Sequence, residues 1–311
     1  MAQRIEIYWR FLRPFTLLVP ATGMLAGALM ALGAEPRWVS DWTTQTPVVV
    51  LQILAGAVLA ASLNAYSNGI NQIFDIEVDR INKPWRLLPS GALRSEEAWA
   101  ISIFFLLLSL ALALWVSWQT TLIVGTASAL PYLYSAPPAR TKGRGFLANI
   151  TVAIPRGTLL IVAGWSTVKD VCSFEPWCIG AIFGLFMLGA VSTKDFSDIE
   201  GDRHCNCHTL PVIYGVRKAI WIISPFLVIP FAWLIPMTLG GFLTGSMRVL
   251  IALGLLIPLW GIYIVLLLLR TPPERFAELN RNRSENHPAW KHMYLMAMIA
   301  QFGLASAYLI Q

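Results

Sequence analysis

Residues 47–80 read PVVVLQILAGAVLAASLNAYSNGINQIFDIEVDR. The apolar run 47–72 is long enough to cross a bilayer as a helix. Its apolarity is continuous rather than alternating, which predicts a helix and not a barrel strand. Just past its end, Asp75, Glu77 and Asp79 crowd into five residues. Acidity is scarce in this chain, so its concentration at the end of a greasy helix needs a reason.

The same reading extends outward from that run. Of 311 residues, 56% are hydrophobic and 13% charged, with a mean hydropathy of +0.62. Those values exclude a soluble or disordered chain and point to a polytopic membrane protein. Runs of membrane-crossing length fall at 13–33, 47–72, 97–117, 119–135, 146–166, 177–194, 218–239, 247–269 and 290–310. The expected fold is therefore all-α, a nine-helix bundle forming one membrane-embedded domain over 1–311, with membrane lipids around it.

Basic residues orient the bundle. With the N-terminus cytoplasmic, the inner segments hold about 19 of the 23 Lys and Arg, and the outer loops keep only Arg37, Lys169 and Arg248. The net charge of +6 is then a topology signal, and no nucleic-acid partner is expected. No Arg- and Ser-rich leader is evident before the first run, so the expected location is a prokaryotic plasma membrane, with both acidic segments facing the cytoplasm. Cys172 and Cys178 flank the outer end of the sixth run, where a disulfide is an open option. Cys205 and Cys207, in HCNCH at 204–208, are spaced too tightly for a structural zinc site and read as a plain loop.

The acidic stretch has an echo: DIEVDR at 75–80 returns as DIEGDR at 198–203. Asn71, Asp75 and Asp79 are spaced i, i+4, i+8, and Asp195, Asp198 and Asp202 are spaced i, i+3, i+7, so on continuous helices each set shares one face. Glu77 and Glu200 fall off those faces. Both sets follow even-numbered runs and lie on the same side of the bilayer. Like charges at this spacing repel unless cations or donors neutralise them, and ionisable groups near membrane depth are costly unless they serve a function. Oxygen-only ligands favour a hard cation such as Mg²⁺, which commonly bridges to phosphate oxygens. Lys83 and Arg86 follow the first set, Lys194 and Arg203 flank the second, and Arg140 and Lys142 sit in the intervening loop. Carboxylates mixed with cations at the end of apolar helices suit a metal-bound lipid diphosphate.

At this point the chain resembles the UbiA superfamily of intramembrane prenyltransferases, over essentially its whole length. The family pattern N-D-x-x-D-x-x-x-D meets NQIFDIEVD at 71–79, and D-x-x-D-x-x-x-D meets DFSDIEGD at 195–202. The resemblance implies two Mg²⁺ ions bridging a prenyl diphosphate, one on Asn71, Asp75 and Asp79 and the other on Asp195, Asp198 and Asp202. The catalytic acids would be Asp75, Asp79, Asp198 and Asp202. RLLPSG at 86–91 is similar to the family's R-P-L-P-S-G and implies a diphosphate contact for Arg86, with Leu87 replacing the usual Pro. Lys83, Lys142, Lys194, Arg203 and Tyr134 are the further diphosphate candidates. Gln72 stands where the family commonly has Asp, a variant that homogentisate-type members share.

In this reading the leaving diphosphate is stabilised by metal and cations, and an allylic cation alkylates an electron-rich acceptor in a sealed apolar chamber. Arg156, the one basic residue well inside a run, shares a helix face with Asn149 at i−7, and the two are candidates for an acceptor or anion site. Pro155, Arg156 and Gly157 predict a mid-helix kink bordering the chamber. Arg13 and most tryptophans read as interfacial anchors. A terpene cyclase of the same superfamily, which closes the ionised chain on itself, is the main alternative. A divalent-cation transporter is a weaker one, because its carboxylates belong near the bilayer midplane.

Overall fold

The computed structural model describes residues 2–35, 42–281 and 287–310. Arg37 and Arg283, counted above for orientation, lie outside the described residues. In chain order the helices are α1 (Ala2–Leu12), α2 (Pro14–Gly33), α3 (Trp42–Phe74), α4 (Ile76–Asn82), α5 (Ser95–Val116), α6 (Trp118–Ser135), α7 (Phe146–Ala153) and α8 (Leu159–Trp165). They continue with α9 (Phe174–Ala190), α10 (Ile199–His204), α11 (Leu210–Ala232), α12 (Leu234–Leu239), α13 (Met247–Arg270), α14 (Pro273–Arg281) and α15 (Pro288–Leu309). No strand occurs among the described residues. The all-α expectation holds.

Seven described segments are long and apolar enough to cross a membrane: 14–33, 47–74, 95–116, 146–165, 174–197, 210–239 and 247–270. The two other expected crossings, 119–135 and 290–310, are covered by α6 and α15, helices of 18 and 22 residues. Their more polar composition keeps them out of that group, so nine is not established as the number of crossings.

Three apolar clusters hold the bundle together, the smallest around Phe11, Ile73, Leu87, Leu93 and Ala98. The largest joins α9, α11, α13 and α15 through side chains such as Phe186, Ile223, Leu227 and Phe231, all without solvent exposure. A smaller one joins α2, α3 and α8 through Met24, Leu59 and Leu160. Large apolar residues such as Leu114, Trp221 and Leu256 instead point outward, each more than 60% exposed. That is the surface a bilayer covers.

The expected kink in the fifth crossing is a single π turn over Ile154–Thr158, between α7 and α8. Pro155 has no N–H to give the α-helical ladder, and the ladder widens around it. Gly157 lets this turn lie against α9, since a Cβ there would stand 2.5 Å from the Gly184 Cα.

At the other end of α9 a buried carboxylate ties three elements. Glu175 accepts from the Thr244 backbone N–H at 2.6 Å and from the Tyr308 hydroxyl at 2.5 Å. This knot fixes α9, the loop before α13 and the end of α15, roughly 30 Å from Asp195 along α9 and the turns that follow it. Cys172 and Cys178 nearby are free thiols, one exposed and one buried.

Candidate active site

Both acidic stretches are broken at their middle aspartate. Asp75 (φ −100°, ψ 10°) separates α3 from α4, and Asp198 (φ −105°, ψ 5°) separates a 3₁₀ turn over Asp195–Ser197 from α10. Neither set therefore rides a continuous helix. Four-residue spacing survives the first break, because the Asp75 N–H bonds to Asn71 O at 3.0 Å and the Asp79 N–H to Asp75 O at 2.7 Å. The second repeats it, with Asp202 N–H to Asp198 O at 3.0 Å. Two matched breaks thus turn two helix ends toward the same space.

That space is a chamber of about 930 Å³. Asn71, Asp75, Asp79, Asp195, Asp198 and Asp202 all line it. So do Lys83, Arg86, Tyr134, Lys142, Lys194 and Arg156. Each cation has a partner there. Lys83 Nζ lies 2.5 Å from Asp198 Oδ1, Arg86 donates to both oxygens of Asp79 at 2.8 Å, and Lys142 pairs with Asp75. Lys194 donates to the Tyr134 hydroxyl at 3.4 Å, and Asn71 donates to Asp75 at 2.7 Å. Away from this polar end the lining turns apolar, with Met24, Leu59, Ile123, Val124, Leu160 and Ala163.

The electrostatics follow from burial and crowding. Burial, reinforced by the charges of Asp198 and Asp195, pushes the Asp202 carboxyl up to about 8. Burial also works against ionisation of Asp198, but Lys83 and Arg86 outweigh it and hold that carboxyl below its usual range. For Lys142 burial opposes the charge, and Asp75 more than restores it. Among the described residues no three His, Cys, Asp or Glu form a ready metal cage. The donor chemistry nevertheless fits Mg²⁺, which takes one or two carboxylates and completes its shell with water and phosphate oxygens. The crowded acids around Asp202 are where an added cation relieves most repulsion.

Some expectations need correction. Arg203 does not reach the chamber; one residue past Asp202 it turns away, is exposed, and lines a small cleft with Phe196 and Pro273. Asn149 and Arg156 do not converge. Asn149 spends its amide on Leu188 O (2.6 Å) and Ser192 Oγ (2.8 Å) of the neighbouring segment, whereas Arg156 donates to Ser67 Oγ on α3 at 3.2 Å. The wider π turn between them breaks the seven-residue alignment on which a shared face depended. Gln72 is buried and acts as a donor, to Phe11 O at 2.9 Å and Asn68 O at 3.1 Å. Arg13 lines the chamber in addition to starting α2. Glu77 and Glu200 are exposed, off the site as expected.

Sequence reasoning missed two features. Asn82 bridges the two motifs, donating to Asp198 O at 3.1 Å and accepting from the Gly201 N–H at 2.8 Å. An Asn three residues past an acidic motif carries no signal of such a role. Phe15, Trp290 and Tyr294 form an aromatic wall on the chamber, with Trp290 and Tyr294 ring centroids 4.5 Å apart and Phe15 5.8 Å from each. That wall joins residues 275 positions apart in the chain.

Fold and chamber first define a class: an all-helical, multi-pass integral membrane protein built around one chamber with a charged end and an apolar body. The family follows from comparison. The UbiA prenyltransferase family model matches residues 20–282, so the chain belongs to that family and is an enzyme of the prenyltransferase type. It is 31% identical over 268 residues to the chloroplastic homogentisate solanesyltransferase of Arabidopsis thaliana, covering 81% of this chain and 67% of that protein. It is 32% identical over 253 residues to the digeranylgeranylglyceryl phosphate synthase of Methanoregula boonei, covering 77% and 84% respectively. A UbiA homolog from Archaeoglobus fulgidus, bound to DMAPP and Mg²⁺, shares the fold with a TM-score of 0.68 and 23% identity, over 96% of this chain and 99% of that one.

Proposed function

We propose that this chain transfers a prenyl group from a prenyl diphosphate to an electron-rich acceptor inside the membrane, with Mg²⁺ as cofactor. One observation carries the reading: both acidic motifs and four cations meet at the charged end of a chamber whose remainder is apolar. A diphosphate head and a hydrocarbon tail match those two ends. Relatives named for prenyl transfer to homogentisate, and as digeranylgeranylglyceryl phosphate synthase, support it.

Asn71, Asp75 and Asp79 would hold one ion, and Asp195, Asp198 and Asp202 a second. Bound there, Mg²⁺ supplies positive charge against the diphosphate oxygens. Lys83, Arg86, Lys142 and Lys194 bind the same oxygens and stabilise the charge that grows as the allylic C–O bond breaks. Tyr134 orients Lys194 through its hydroxyl and ring, whose centroid lies 5.6 Å from the ammonium. The apolar lining keeps water from the allylic carbon, and the aromatic wall offers π faces to a cation or to an aromatic acceptor. Arg156 is the group suited to an anionic substituent on the acceptor. The excess of basic residues on one side supports a cytoplasmic N-terminus and chamber mouth, and the proposed location is a prokaryotic plasma membrane.

The test uses the full chain in nanodiscs, geranylgeranyl diphosphate, Mg²⁺ and a panel of acceptors: homogentisate, other phenolic quinone precursors, a chlorophyllide and a glycerol-phosphate lipid. A prenylated acceptor formed only with Mg²⁺ is the expected product. A cyclic hydrocarbon or alcohol formed without any acceptor would replace transfer with cyclisation.

A further inference from the structure

We propose that Asn82 is a positioning residue that caps α10 in place of Asp198, leaving the Asp198 carboxylate free to face the chamber. Asp198 occupies the N-cap position of α10, with its carbonyl accepting the first helical bond from Asp202. An aspartate at that position ordinarily turns its carboxylate back onto the N–H two or three residues on. Asp198 makes no such bond. Its carboxylate goes to Lys83 in the chamber, and the N–H it would have taken, that of Gly201, is taken by Asn82 Oδ1 at 2.8 Å. The Asn82 amide donates at the same time to Asp198 O at 3.1 Å, so one buried side chain holds both sides of the break.

The two motifs carry an independent sign of this role. Aligned letter for letter, DIEVDR and DIEGDR differ only at Val78 and Gly201. A Cβ at Gly201 would stand 2.5–2.7 Å from the Asn82 amide atoms, so the second copy needs glycine where the first has valine. The glycine makes room for the amide.

What the freed carboxylate does there rests on the transferase reading above, so the test separates the two. Mn²⁺ binding to the full chain in nanodiscs, followed by electron paramagnetic resonance, is compared for wild type, Asn82→Ala, Asn82→Asp, Asp198→Asn and the Asn82→Ala/Asp198→Asn double variant. Asn82→Ala should weaken Mn²⁺ at least tenfold, the scale of losing a ligand's supporting partner. Asn82→Asp keeps an acceptor for the Gly201 N–H but loses the donor to Asp198 O, so it should recover only part of that loss. The double variant should bind no more weakly than Asp198→Asn alone, because Asn82 acts through that carboxylate. Wild-type affinity in Asn82→Ala, or additive losses in the double variant, overturns the proposal. A wild-type chain that binds no Mn²⁺ would instead refute the metal reading. Capping is then decided by prenyl-transfer rates: tenfold loss in Asn82→Ala with a clearly smaller loss in Asn82→Asp supports it, and equal rates in the two overturn it.

Discussion

Lys83 is joined to Asp198 across 2.5 Å, with the lysine side chain only 2% exposed and the aspartate 21%. A charge sealed so completely depends on its partner. The contact also means that the segment leaving the first acidic motif lands on the second, which makes the two stretches one site.

Asp75→Asn and Asp198→Asn should each lower prenyl transfer at least a hundredfold while the chain still inserts and purifies as a monodisperse species. Both keep side-chain size, remove the charge and leave one amide oxygen to accept from the lysine each carboxylate pairs with, Lys142 or Lys83. Near-wild-type turnover in both variants would refute a site built from two motifs.

Gln72→Asp is expected to destabilise rather than to restore a family-like ligand. A carboxylate has no donor, so it would face the Phe11 and Asn68 carbonyls with like polarity. Two lost bonds and a stranded buried charge cost on the order of 2–4 kcal/mol. Tryptophan-fluorescence melting of the solubilised chain measures this, and an unchanged midpoint would show that the α1–α3 tie contributes little.

Stability should fall with acid through His287. Its Nδ1 accepts from the Ala289 N–H at 3.2 Å, and its Nε2 meets Thr271 Oγ1 at 3.0 Å, while that hydroxyl donates to Leu267 O. Burial lowers the ring from 6.5 to about 4, so the folded state holds the neutral form. The unfolded chain takes up a proton below about 6.5, and the folded chain does so only near 4. Stability from this group is therefore full above that window and is lost progressively between the two values, by at most about 3 kcal/mol. His287→Gln should flatten the dependence of the melting midpoint on pH between 6.5 and 4, and an equal slope in both proteins would assign the effect elsewhere.

Tyr308→Phe removes one donor from buried Glu175 and should cost about 1–2 kcal/mol of stability. Transfer kinetics should not change, because the knot lies at the far end of α9 from the chamber. A large change in the Michaelis constant for the diphosphate would show that the two ends are coupled.

Much of this site was legible because membrane sequences make polar residues conspicuous. The spacing of Asn71, Asp75 and Asp79 picked out a set of side chains that all line the chamber even though the helix breaks at Asp75, since the bonds across the break keep a four-residue rhythm. Lys83, Arg86, Lys142 and Lys194 stood out as charges beside apolar runs. Arg203 looked equivalent by composition, yet one residue of helical rotation carries it away from the chamber. Asn149 followed from an ideal helix and failed where the π turn widened the backbone. The aromatic wall could not be read at all, because Phe15 meets Trp290 and Tyr294 only after the chain has closed on itself. The crossings at 119–135 and 290–310 show the opposite limit: their helices formed, but helix formation and apolarity are separate properties.

The single letter that separates DIEVDR from DIEGDR makes the duplicate pair impossible to exchange. Pasting the first cassette into 198–203 would drive a valine side chain into the Asn82 amide and evict it. Pasting the second into 75–80 would merely remove the Val78 side chain, which is 4% exposed and lines the chamber. A swap in one direction dismantles the joint between the copies, and a swap in the other only loosens local packing. The internal copies are thus no longer twins: one serves as the buttress and the other as the part it supports.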